Sequence, residues 1–227
     1  MEENADEATR IGSDRFFKEN EKAVALGVKT VLVRKIANQV YSRIKHLPKK
    51  EIFGLCEELW RSPFLEEDFV ACDWSYGLRK QYLPDDFAVF EKWTDCYVDN
   101  WASCDTLCNH TVGTLVEMYP ELVEPLKGWA DSANRWMKRA AAMTLIIPAR
   151  RGLFLKEIFE IADRLLADPD DLVQKGYGWM LKAASEAHQD EVFEFVTARR
   201  ATMPRTAYRY AIEKMPPERR AEAMKKP

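Results

Sequence analysis

Hairpin signals are missing from this sequence. No Asn-Gly pair occurs, no segment sustains apolar–polar alternation, and glycine is sparse at nine residues in 227. Those absences argue against a β-rich fold. No apolar run approaches the roughly 20 residues that span a bilayer. The opening MEENADEATR is acidic and polar and lacks the apolar core of a secretory signal, so a cytoplasmic protein is expected. Cysteine pairing is also absent. Cys56, Cys72, Cys96, Cys104 and Cys108 are odd in number and include no CxxC. Cys104 and Cys108, even with His110 nearby, match no strong zinc spacing. Reduced thiols on helices are the simpler reading, and no metal or cofactor is expected.

A surplus of positive charge is absent overall but present locally. The formal net charge is -3. Taken whole, that argues against a nucleic-acid partner. From Asp131 to Pro227, however, 18 Lys and Arg stand against 14 Asp and Glu, a net of +4, and the first 130 residues carry -7. The C-terminal part can therefore present a basic surface despite the acidic total.

What is present is helical periodicity. TVLVRKIANQVYSRIK places Val33, Ile36, Val40 and Ile44 near one face, and KKEIFGLCEELWRS spaces Ile52, Leu55, Leu59 and Trp60 in the same way. Ser62-Pro63 stops that run, and Pro84-Asp85-Asp86 suits a helix start. Further helices are expected from about Asn100, from Pro120, through SANRWMKRAAAMTLII with Ser132 as cap and Pro148 as terminator, and through RGLFLKEIFEIADRLLAD. Asp168-Pro169-Asp170-Asp171 opens the next, followed by DEVFEFVTARR and, after Pro204, RTAYRYAIEKM. Some twelve short helices joined by short turns predict an all-α fold, with HEAT-like helical repeats stacked in a curved α-solenoid. Residues 1–11 are expected to be disordered or extended, and 12–227 to form a single repeat domain.

Three segments have the residue types for chemistry. In DNWASCD, Trp101 and Asp105 lie four residues apart, on one helical face. The pair reads either as a packed helix start or as a pocket for positive charge. In the second reading, ring faces give about 0.5–2 kcal/mol each and the carboxylate gives the larger directed term. The small Ala102 and Ser103 lie between them. In KGYGWMLK, Gly176 and Gly178 cost about 1 kcal/mol each in a helix, which a close helix neighbour or a ligand would justify; Lys175, Trp179 and Lys182 flank them. In NRWMKR, Arg135, Lys138 and Arg139 read as phosphate ligands or as a solvated face. Arg199, Arg200, Arg205 and Arg209 form a second basic run, in which the first two suit a helix C-terminus.

Taken in order, these segments resemble the AlkD-like DNA glycosylase family, the HEAT-like DNA alkylation repair proteins. WASCD resembles the family's Trp-x-x-x-Asp segment, SANRWMKRAA its Asn-x-Trp-x-x-Arg helix, QKGYGWMLK its Gln-Lys-x-x-Gly-Trp helix, and RTAYRYAI its basic final segment. LGVKT, from Leu26, resembles its amino-terminal Gly-Val turn. The likeness runs from about residue 12 to 215 and is loosest over the first 90 residues. It implies Asp105 as catalytic carboxylate, Trp101 and Trp179 framing the lesion nucleotide, Arg139 on a phosphate, and room for a sugar–phosphate backbone beside the small Ala102 and Ser103. Arg135, Lys138, Lys175, Lys182, Arg205 and Arg209 complete the implied DNA contacts. Lys182 stands where an arginine is expected; it keeps the charge but not the bidentate fork.

The resemblance further implies excision of cationic N3- or N7-alkylated purines from duplex DNA without base flipping, by a monomer associated with the nucleoid. Two other readings stay open. One is a non-catalytic HEAT-like protein that binds distorted or branched DNA. The other is a protein–protein scaffold, in keeping with the acidic total charge.

Overall fold

Helix follows helix because the chain keeps offering apolar faces to bury, and the side chains of Asp6, Asn100, Asn134 and Asp170 cap four of the helices. The computed structural model describes residues 1–17 and 23–225. Among the described residues there is no strand, and one isolated bridge joins Val24 to Phe64. The helices are α1 (Glu7–Asp14), α2 (Thr30–Ile44), α3 (Lys49–Trp60), α4 (Leu65–Gly77), α5 (Asp86–Cys96), α6 (Trp101–Thr106), α7 (Gly113–Met118), α8 (Val123–Trp129), α9 (Arg135–Thr144), α10 (Ile146–Arg150), α11 (Leu155–Arg164), α12 (Asp171–Ala184), α13 (Gln189–Ala198), α14 (Arg205–Ala211) and α15 (Pro217–Met224). Among the described residues no helix is long and apolar enough to cross a membrane. The chain divides into two compact units, Met1–Leu107 and Cys108–Pro227.

In the first unit α4 is the hub, with α2, α3 and α6 packed on it. The core is aromatic. Phe53, Phe90 and Trp93 meet edge-on or tilted at 5.5–5.6 Å, and Tyr82 approaches Phe90 at 5.4 Å. The inward face of α3 is Ile52, Phe53, Cys56 and Trp60, one step round from the expected Leu55 and Leu59. In α2 only Val33 and Ala37 are buried, and Val40 is exposed.

The LGVKT turn is built on a buried carboxylate. Glu66, in the first turn of α4, accepts the backbone N–H groups of Leu26, Gly27 and Val28 at 2.8–3.0 Å. Gly27 has φ +89°, and a Cβ there would lie 2.5 Å from the Asp6 carbonyl oxygen. Both facts require glycine. The Asp6 carbonyl belongs to a segment expected to be disordered or extended. That segment instead forms a 3-10 turn at Glu2–Asn4 and opens α1, whose first turn is capped by the Asp6 carboxylate accepting Thr9 N–H at 2.9 Å.

In the second unit α12 is the hub, packed on α9, α10, α11 and α14. Small residues bring these axes close: Ala140, Ala141 and Ala142 on α9, Gly176 and Gly178 on α12, and Ala207 and Ala211 on α14 are all buried. Two expected boundaries shift. Asn134, not Ser132, caps α9 by accepting Trp136 N–H at 2.9 Å, while the Ser132 hydroxyl accepts Asn134 N–H at 3.0 Å. Pro148 does not end a helix; α9 stops at Thr144, and Pro148 sits in the first turn of α10. First-turn N–H groups have no partner within their own helix, so proline costs little there.

Candidate functional site

The short helix α6 carries Trp101 and Asp105 and is held from below by α4. Asn100, in extended conformation, caps it by accepting Ser103 N–H at 2.9 Å. The Asn100 amide donates to Asp99 at 2.9 Å and to the Ser103 hydroxyl at 3.0 Å. Ser103 then donates to the Asp68 carboxylate of α4 at 2.6 Å. Asp68 is buried, and its pKa rises from 3.8 to about 7. Burial is the main cause, and the charges of Asp99 and Glu67 add to it, while hydrogen bonds from Ser103 and Asn100 oppose it. Ser103 is therefore an anchor: fully buried, it leaves no room for a backbone, which corrects the expectation that it makes space beside Ala102.

Trp101 begins α6 and is half-buried. Its indole N–H donates to the Phe16 carbonyl at 3.3 Å, and its ring lies 5.5 Å from that of Phe17. Asp105 follows one turn later, also half-buried. A π-helical stretch, Leu107–Val112, comes directly after α6. Such insertions recur beside functional sites.

The second unit holds the other predicted residues. Trp179 is half-buried on α12, with the Lys182 ammonium 5.7 Å from its ring centre. Lys182 also lies over the Tyr210 ring at 5.3 Å and pairs with Glu213 at 3.0 Å. Arg139 is buried on α9, and its Nη1 donates to the Leu172 carbonyl at 2.5 Å. Its stem runs beside Gly176, where a Cβ would meet Arg139 Cγ at 3.5 Å. Gly178 is tighter: a Cβ there would lie 2.8 Å from the Ala207 carbonyl oxygen and from Tyr210 Cβ. The glycine pair therefore serves two neighbours, an arginine side chain and the backbone of α14.

The other cations of α9 and α12 are charge-compensated. Arg135 pairs with Asp170 at 2.8 Å and stacks on Trp136 at 4.9 Å. Lys138 pairs with Asp168 at 2.7 Å, and Lys175 with Asp171 at 3.1 Å. Arg199 ends α13 and makes a double contact with Asp163, so it is structural. Arg205 and Arg209, by contrast, are exposed on α14. They line a groove of about 820 Å³ that includes Arg220 of α15, a residue the sequence reading did not single out.

The structure thus gathers the predicted residues into two sets. Trp101 and Asp105 share α6 in the first unit. Arg139, Trp179, Lys182, Arg205 and Arg209 lie on α9, α12 and α14 in the second. Sequence reasoning missed Asp68, although an acid in the apolar run FLEEDFVACDW was a visible signal. Cys104 and Cys108 are buried thiols, and among the described residues no group of three or more His, Cys, Asp or Glu side chains could hold a metal ion.

Comparison with known proteins places this framework. No curated relative matches the sequence. A solved structure described as a predicted DNA alkylation repair enzyme from Enterococcus faecalis superposes with a TM-score of 0.83, covering 94% of this chain and 98% of that one. At 14% identity the likeness speaks for the fold alone. A family model, described as DNA alkylation repair enzyme, matches residues 1–215. The helical framework and the family match together show that this chain belongs to the DNA alkylation repair enzyme family.

Proposed function

We propose that the protein is a monofunctional DNA glycosylase that removes cationic N3- or N7-alkylated purines from duplex DNA without flipping the base. That mode differs from the extrusion used by most enzymes acting on bases. The observation that carries the reading is the presentation of Trp101 and Asp105, one turn apart and half-buried on a short anchored helix, in a chain of this family.

The chemistry asks little of the protein. Alkylation gives the purine a positive charge. When the C1′–N9 bond breaks, its electron pair moves to the purine and cancels that charge, so the base leaves neutral. The sugar becomes oxocarbenium-like. Asp105 supplies the counter-charge and accepts the proton of the water that adds to C1′, leaving an abasic site. The face of Trp101 adds cation–π stabilisation from the lesion's backbone side, and the family resemblance implies the same role for Trp179. An aspartate serves because it is ionised at neutral pH when partly solvated.

In this reading Arg139 holds a phosphate near the lesion. Its bond to the Leu172 carbonyl also ties α9 to the first turn of α12, so its loss costs stability as well as affinity. Arg135, Lys138, Lys175 and Lys182 reach phosphates only by exchanging carboxylate partners. The protein works as a monomer on alkylated duplex DNA in the nucleoid.

The test is release of free base from methylated duplex DNA. Wild type is expected to release 3-methyladenine and 7-methylguanine well above the spontaneous rate; release at background removes the enzymatic reading. A second reading, a non-catalytic DNA-structure binder, is favoured by the pairing of Lys182 with Glu213 where an arginine is expected. It predicts strongly salt-dependent binding to branched DNA with no base release.

A further inference from the structure

The groove between α14 and α15 stands out against the compensated cations of α9 and α12. Its three arginines, Arg205 and Arg209 on α14 and Arg220 on α15, are all exposed. Among the described residues no carboxylate pairs with any of them. Glu213 is the one acid in the lining, and it is held by Lys182 at 3.0 Å. The groove therefore presents uncancelled positive charge over an open volume of about 820 Å³, too large for a single phosphate ion.

Its far wall is fixed. Arg219 pairs with Asp190 at 2.6 Å and stacks on Phe193 at 4.6 Å. Tyr208 donates to the Ala223 carbonyl at 2.9 Å, and Ala223 is buried. These contacts hold α15 on the unit without using Arg220. Residues 217–224 lie beyond the 1–215 span matched by the family model.

We propose that this groove binds the sugar–phosphate backbone of one strand of duplex DNA, with Arg205, Arg209 and Arg220 on its phosphates and Tyr210 and Met224 against its sugars. The proposal rests on the DNA-repair reading given above and extends it to α15. Guanidinium groups suit phosphate because their planar donors match its oxygens in pairs. One lining residue, Tyr210, shares the Lys182 ammonium with Trp179.

The experiment measures binding of an undamaged duplex oligonucleotide against salt concentration, for wild type, Arg220→Ala, Arg220→Lys and Arg209→Ala/Arg220→Ala. Each phosphate contact contributes about 0.9 to the slope of log affinity against log salt. Arg220→Ala is expected to lower the slope by about 0.9, the double variant by about 1.8, and Arg220→Lys by little, with thermal midpoints unchanged. If wild type binds duplex but the alanine variants keep its slope and affinity, the groove proposal is overturned while the DNA reading stands. If wild type binds no duplex at low salt, the DNA reading fails and the groove assignment with it. Preferential binding of polyglutamate over duplex, lost in the double variant, would reassign the groove to an acidic protein.

Discussion

The two tryptophans proposed to face the lesion ride on helices held by opposite means. Trp101 sits on a six-residue helix tied down by a buried polar chain, Asn100 to Ser103 to Asp68. Trp179 sits on a fourteen-residue helix pressed between neighbours through glycine and alanine, with its rim of cations neutralised by acids. The first arrangement depends on hydrogen bonds and on one protonation state. The second depends on side-chain volume and hardly at all on pH. The same residue type, placed for the same proposed task, is therefore vulnerable to different changes.

The sharpest break in that comparison is steric. Gly178→Ala forces a methyl group to within 2.8 Å of the Ala207 carbonyl oxygen, so α12 and α14 must separate. A loss of about 1–3 kcal/mol is expected, read as a lower urea midpoint. Gly176→Ala is the control. Its methyl would meet Arg139 Cγ at an ordinary 3.5 Å, and the gain in helix propensity, up to about 1 kcal/mol, should leave stability unchanged or raised. In the first unit the matching change is Ser103→Ala, which leaves the buried Asp68 without its hydroxyl donor. The expected cost is about 1–3 kcal/mol, together with slower base excision, because α6 loses its tie to α4.

The next test is pH. Asp68 is raised from 3.8 to about 7 by burial, so the folded protein holds a proton there that the unfolded chain releases above about pH 4. Between those values the unfolded state binds fewer protons. Stability contributed at this site therefore falls as pH rises from about 4 to about 7 and is flat above. Asp68→Asn keeps an acceptor for Ser103 and should remove that slope, measured as the urea midpoint across this range. Nothing comparable is expected from the α9–α12–α14 core. The smallest effect is Lys175→Ala, which breaks a half-buried pair with Asp171 one turn away; about 0.2–0.5 kcal/mol is expected.

Much of this architecture is legible in the sequence because it is local. Helix periodicity, the Asp170 cap and the Trp101–Asp105 spacing need only a few consecutive residues. What escaped is long-range or lacks an apolar stripe. The acids that neutralise Arg135, Lys138 and Lys182 lie 35, 30 and 31 residues away, so runs that read as phosphate ligands turn out to be paired. Ser103 reads as a small spacer until Asp68, 35 residues earlier, is seen beneath it. The α15 sequence PERRAEAM buries only Ala223, too little for a periodic signal. The α1 start was visible in Asp6 and Thr9, but the acidic composition around them argues for disorder.

One measurement bears most directly on the central claim, that Asp105 carries the charge of the breaking glycosidic bond. It is the single-turnover rate of 3-methyladenine release from methylated duplex DNA, with enzyme in excess, for wild type and Asp105→Asn. General-base and charge-stabilising groups contribute about 10²–10⁴-fold, and a loss of that order with duplex affinity retained is the predicted result. An Asp105→Asn enzyme that releases the base at the wild-type rate would contradict it.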